Sequence, residues 1–322
     1  MAVVSYKKEE FLVLDGGVAT ELTRAGFNLD GDPLWSGRIL VENPEAVKSV
    51  HKSFFESGAN VATTATYQVS LEGLLMYCGL DESKALDVIE NSVKIAQEAS
   101  RAVCSSSTGC PRKMLVAGSV GPYGACQHDG SEYTGKYVDN MTIQDLVNWH
   151  RPRVAALLKA GADILALETI PAQKEAEALI ELLKEFPEAK AWLSMSCKDG
   201  IHTCHGEVFS DAVTSIVNQS KQIAAVGVNC TSPWFVTSLL QSAKGKVDVP
   251  FVVYPHTGEE WREGGFGWEG EIEWQPRDAT FVRDLTSYVL EWIDAGARWI
   301  GGCCLTKPKD IARVREIVDR FE

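Results

Sequence analysis

The chain has 322 residues, 45% of them hydrophobic and 23% charged, globular proportions with enough apolar material for a large core. A net charge of -13 without clustered Lys/Arg argues against a nucleic-acid partner, and no apolar run is long enough to span a bilayer. Met1 to Lys8 lacks the basic-then-apolar order of a signal peptide, so a soluble cytoplasmic protein is expected. In a reducing compartment its nine cysteines should be free, buried or on metal, and not paired as disulfides. Cys78, Cys104, Cys110 and Cys126 show no spacing logic and read as ordinary packed or surface thiols.

Phe11 to Leu14 predicts a first strand, ended by the turn Asp15-Gly16-Gly17, and Val18 to Ala25 a short helix carrying Glu21. A loop from Asn28 to Arg38 holds Pro33 and Trp35. Asn43-Pro44 is an N-cap followed by an N1 proline, and Val47, Val50 and Phe54 mark that helix's buried face. Ser57-Gly58-Ala59-Asn60-Val61 ends the helix and starts a strand. The same joint recurs at Ala160 to Ile164 and Ala295 to Trp299, each with Gly where a helix stops.

Further strands are predicted at 114–120, 163–167, 191–196, 223–228, 249–254 and 299–302. Helices are predicted at 81–103, 142–159, 171–186, 210–219, 232–243, 278–294 and 308–321. About eight strands alternating with helices imply a parallel sheet, and the count matches a single (β/α)8 (TIM) barrel with extended βα loops. An open doubly wound sheet has the same alternation, but no Gly-x-Gly-x-x-Gly follows the first strand. No linker or composition shift marks a second domain, so residues 1–322 read as one domain. The Gly/Trp-rich stretch Glu260 to Trp274 reads as a long loop after strand seven.

In such a barrel the strand ends share one centre. Here they carry Asp15, Thr64, Glu168, Asn229, Cys230, His256, Cys303 and Cys304. Cys230 closes one strand and Cys303-Cys304 follow another through Gly301-Gly302, so three sulfurs can meet if the chain turns at the glycines. Three thiolates make a zinc site with an open fourth position, the mark of chemistry; buried small hydrophobes are the plain alternative. Glu168 suits a substrate ammonium, or else caps the helix after it. The amides of Asp15-Gly16-Gly17 suit a carboxylate, or merely make a turn. His256 has no assigned role beyond its own loop. Cys197, His202, Cys204 and His205 have metal-compatible spacing but lie in a polar loop, which favours an incidental role.

Asp15-Gly16-Gly17 with Glu21, Thr63-Thr64-Ala65-Thr66-Tyr67, Gly118-Ser119-Val120-Gly121-Pro122, Leu167-Glu168-Thr169, Gly227-Val228-Asn229-Cys230 and Gly301-Gly302-Cys303-Cys304 together resemble the homocysteine S-methyltransferases, over about residues 11–320. The resemblance implies a (β/α)8 barrel with Zn2+ on Cys230, Cys303 and Cys304. It implies homocysteine contacts at Gly16, Thr64 and Glu168, with Asp15, Glu21 and Asn229 nearby and Trp35 against the methyl donor. His256 departs from the Asn that relatives usually carry. The pattern looks like the plant and microbial branch that uses S-methylmethionine, with S-adenosylmethionine as a further sulfonium donor. A selenocysteine-methylating or betaine-using relative stays open, as does a zinc-binding protein without turnover. A metal hydrolase fits poorly, since its ligands favour His and carboxylate. Oligomeric state is not legible.

Overall fold

A crossover helix carries the chain back to the end of the sheet at which the preceding strand began, so strands joined by helices pair in parallel. The computed structural model describes residues 11–106, 112–257 and 285–321, plus the short strand pair Glu259–Glu260 and Gln275–Pro276. Its barrel strands are β1 (Leu12–Val13), β2 (Val61–Thr63), β3 (Leu115–Val120), β4 (Ile164–Ile170), β5 (Ala191–Met195), β6 (Ile223–Asn229), β7 (Phe251–Tyr254) and β8 (Ala297–Ile300). These eight strands form one parallel sheet in cyclic order, and a bridge between Leu14 and Val61 joins its two edges. The (β/α)8 barrel is therefore the fold, and the open doubly wound sheet is set aside.

Helices α1 (Val18–Arg24), α2 (Gly37–Glu42), α3 (Pro44–Glu56), α4 (Leu71–Cys78), α5 (Glu82–Ser106), α6 (Ile143–Lys159), α7 (Gln173–Leu183), α8 (Phe209–Gln219), α9 (Pro233–Ala243), α10 (Val289–Ala295) and α11 (Pro308–Val318) accompany the sheet. Asn43 caps α3 through an Oδ1 that accepts the Ala46 N–H at 3.2 Å, with Pro44 at its first turn. Gly58, Gly161 and Gly296, the repeated joint, all have left-handed φ, between 85° and 116°. α4 lies in a stretch to which no element was assigned from the sequence, and α2 begins within the end of the loop expected over Asn28 to Arg38. Glu260 to Trp274 and Cys110 fall outside the described residues, Glu260 being described only as part of the short strand pair.

Alternation along the strands sorts side chains into two layers. Leu14, Val61, Ala117, Ile164, Ala166, Trp192, Ala225, Val252 and Tyr254 form one apolar cluster, and the residues between them pack into the larger one with the helices. The first set fills the barrel interior. On the same faces, nearer the strand C-termini, stand Thr63, Ser119, Glu168 and Ser194. The core thus ends in a polar layer where chemistry can be placed.

Candidate active site at the C-terminal mouth of the barrel

Glu168 is not at a strand end as expected: β4 continues to Ile170. The pairing with β5 shifts between Leu167 and Ile170, and Thr169 takes φ 58°, so a bulge carries the strand past the carboxylate. Asn229 holds this bulge. Its Oδ1 accepts the Thr169 N–H at 2.7 Å, and its Nδ2 donates to Thr169 Oγ1 at 2.7 Å. Both ends of that amide are engaged by protein.

Glu168 accepts a hydrogen bond from Ser119 Oγ and is also bonded by Tyr254, whose hydroxyl lies 2.6 Å from Ser194 Oγ and accepts from Trp192 Nε1 at 2.8 Å. Burial outweighs these bonds and pushes the Glu168 carboxyl up to about 7. Asp15 accepts from the Thr63 N–H at 2.7 Å and the Thr63 hydroxyl at 3.0 Å. Burial first, with the Glu168 charge adding, raises it to about 8.

The glycine turns let two chain ends meet. A Cβ on Gly16 would lie 2.7 Å from the Thr306 carbonyl oxygen and 2.9 Å from the Phe54 ring, and one on Gly302 would lie 2.2 Å from the Thr306 side chain. The Gly302 N–H donates to the Asp15 carbonyl and the Cys303 N–H to that of Pro255. Gly17 N–H is committed to Thr306 O at 3.0 Å, which removes it from the carboxylate-binding role the sequence suggested. Beyond β8 the chain turns, as sharing one metal requires of adjacent cysteines.

The sulfurs of Cys230, Cys303 and Cys304 lie within 4.8 Å of one another, the one such cluster of potential ligands among the described residues. Cys303 and Cys304 sulfurs are 4.0 Å apart. Two sulfurs on a tetrahedral zinc, each bonded at about 2.3 Å, stand about 3.8 Å apart, so this pair fits the ion. Cys230 and Cys303 instead form a disulfide, with Cα atoms 5.9 Å apart, and Cys104 is also disulfide-bonded. The expectation that the cysteines stay unpaired is corrected at these positions. Thiols brought to one point for a metal, at this Cα separation, are also within disulfide reach.

The cavity enclosed by these groups has a volume of ≈ 700 Å³ with its mouth. Asp15, Gly16, Trp35, Thr64, Glu168, Asn229 and the three cysteines all line it, and no Lys or Arg does among the described residues. Tyr67 and Tyr133 also line it; Tyr67 meets Trp35 edge-on with centroids 6.2 Å apart. Tyr133, on a turn over Ser131–Tyr133 with no sequence period, was illegible beforehand. Glu21 does not reach the cavity; it pairs with Arg24 on α1 at 2.7 Å. His256 is buried, its pKa pulled down to about 4, and does not line the cavity. His202 hydrogen-bonds Asp199, and His205 hydrogen-bonds Glu207 and Asp139, while Cys197 and Cys204 are buried thiols, and the four are not gathered at one point.

The sequence profile of the family described as homocysteine S-methyltransferase matches residues 12–318. A protein named homocysteine S-methyltransferase YbgG, from Bacillus subtilis, is 44% identical over 94% of this chain and 93% of its own length. One named betaine-homocysteine S-methyltransferase, from Drosophila melanogaster, is 39% identical over 98% and 96%. The homocysteine methyltransferase MmuM from Escherichia coli superimposes with TM-score 0.83 in both its oxidized and metallated forms, at 41% and 40% identity, over 96% of each chain. The chain is a methyltransferase and belongs to the homocysteine S-methyltransferase family.

Proposed function

We propose that this enzyme moves a methyl group from a sulfonium donor, S-methylmethionine foremost, to the sulfur of homocysteine, giving methionine, with zinc held by Cys230, Cys303 and Cys304 once the Cys230–Cys303 disulfide is reduced to thiols. The observation that carries the proposal is the meeting of three cysteine sulfurs with two buried carboxylates in one cavity. A metallated form of the Escherichia coli neighbour supports a metal at such a site. Zinc bound there supplies the Lewis acidity that keeps a thiol deprotonated near pH 7, where a free thiol of pKa about 8.5 is mostly protonated.

The rest is done by the chain. Glu168 and Asp15, with no Lys or Arg lining the cavity among the described residues, take the substrate's ammonium group, which in turn favours their ionised forms. Thr64 and Gly16 face the remainder of the amino acid. Asn229 fixes the bulge that aims Glu168, and Ser119 and Tyr254 fix its rotamer. Trp35 and Tyr67 offer aromatic surface to the positive donor. A sulfonium becomes neutral as it gives up its methyl, so no acid is needed at the leaving sulfur. Orientation of donor and acceptor in one walled cavity supplies much of the rate.

Betaine is the second donor to consider, because the Drosophila relative carries that name at 39% identity. Methionine formation from homocysteine, with S-methylmethionine, S-adenosylmethionine and betaine in parallel, tests the proposal. S-methylmethionine should be fastest; no methionine from any donor would overturn it.

A further inference from the structure

Arg153 sits on α6, 2% exposed, and lines no part of the cavity. Its Nη1 donates to the carbonyls of Tyr67 at 3.1 Å and Val69 at 3.0 Å, with Thr66 at 3.5 Å, all in the loop after β2. Its Nη2 donates to the carbonyl of Gly121, in the loop after β3, at 2.6 Å. One planar guanidinium therefore ties together two loops that leave adjacent strands, a geometry suited to a rigid fork of donors.

The charge is embedded in a relay. Nη2 also lies 3.0 Å from His150 Nδ1, and arginine only donates, so His150 Nδ1 is the acceptor and its Nε2–H faces Glu175 Oε1 at 2.9 Å. Glu175, fully buried on α7, further accepts the Tyr123 N–H at 2.7 Å and the Tyr137 hydroxyl. The guanidinium carbon stands 5.1 Å from the Trp149 ring centroid. Burying this much charge is costly before compensation, and an apolar contact would tie the two loops together without that cost.

What the relay does reach is Tyr67. A Cβ on Gly121 would lie 2.4 Å from the Tyr67 carbonyl oxygen and 2.7 Å from its ring, so the glycine lets that ring lie directly on the neighbouring loop. The ring then meets Trp35, and its hydroxyl bonds Thr169 on the β4 bulge. We propose that Arg153 is a positioning residue: by clipping Gly121 O to Tyr67 O from outside the cavity, it sets the aromatic wall that meets the methyl donor. The donor side of this statement rests on the function proposed above.

The test varies each substrate in turn for the wild type, Arg153→Met, Arg153→Lys and Gly121→Ala. Misplacing Tyr67 by a fraction of an ångström should raise the donor KM of Arg153→Met about tenfold or more, with the homocysteine KM within about twofold and metal content unchanged. Arg153→Lys, which keeps the charge but not the fork, should recover part of the loss. Gly121→Ala, which pushes on Tyr67 with Arg153 intact, should show the same split even if Arg153→Met does not fold. An equal rise in both KM values, or an unchanged donor KM in Gly121→Ala, overturns the clip. Crystal structures of the variants separate the two ideas without substrate. Tyr67 unmoved from Trp35 sinks the clip, whereas an inactive wild type with Tyr67 displaced in the variants sinks only the assigned reaction.

Discussion

Glu168→Gln should stabilise the metal-free protein in alkaline solution while disabling it. The native Glu168 carboxyl lies near 7 against an ordinary 4.5, because burial costs its charged form more than the Ser119 and Tyr254 bonds return. The folded state thus binds the proton more tightly than the unfolded chain. The sign follows: this group's contribution is most favourable below about pH 4.5, declines as pH rises, and is lost above about 7. At about 1.36 kcal/mol for each pH unit between the two values, the ionised carboxylate costs on the order of 3 kcal/mol at pH 8.5. Glutamine keeps the acceptor oxygen for Ser119 and carries no charge to desolvate, and it also relieves Asp15, which the Glu168 charge pushes up. Urea unfolding of wild type and variant at pH 8.5 and pH 5 measures the difference. The gain should be of that order at pH 8.5 and nearly absent at pH 5. A loss of stability equal at both values would refute the reasoning and make Glu168 an ordinary structural acceptor.

The same titration predicts that homocysteine binding weakens below about pH 7, where Glu168 takes up its proton, and calorimetry should find that limb missing in Glu168→Gln. Cys230→Ser should lower metal affinity by more than about 100-fold, since even residues that merely support a ligand can cost 10–100-fold; equilibrium dialysis reads it. Trp35→Leu should raise the donor KM about 2- to 30-fold, the range of a cation–π contact, and leave the homocysteine KM alone. Gly302→Ala should cost about 1–3 kcal/mol and loosen metal retention, because its Cβ would fall 2.2–2.4 Å from Thr306 side-chain atoms beside Cys303; a thermal melt and metal analysis check both.

The barrel was legible because its signals are local. Apolar strand segments, the amphipathic face of α3 and the recurring joints at Gly58, Gly161 and Gly296 report the same period that the sheet needs. The ends of those strands then pointed to Asp15, Glu168, Cys230 and Cys303-Cys304, all of which meet in the cavity. What stayed hidden depends on contacts distant in sequence. α4 and the turns over 123–140 are fixed by packing, not by period. Glu21 was joined to Asp15 by the resemblance alone, and on its helix it pairs with Arg24 instead. Arg153 carried no reading in the sequence, and only the fold shows carbonyls closing over it. Spacing likewise could not say that Cys230 and Cys303 pair in a disulfide, because the same proximity serves a metal.

The central claim is that three cysteines from two strand ends hold zinc and leave room for a substrate thiol. X-ray absorption at the zinc edge, on reduced and zinc-reconstituted protein with and without homocysteine, tests it most directly. The account predicts three protein sulfurs at about 2.3 Å and a fourth sulfur at a similar distance when homocysteine is added. A sulfur count that homocysteine leaves unchanged, or zinc bound without Cys230, would contradict it.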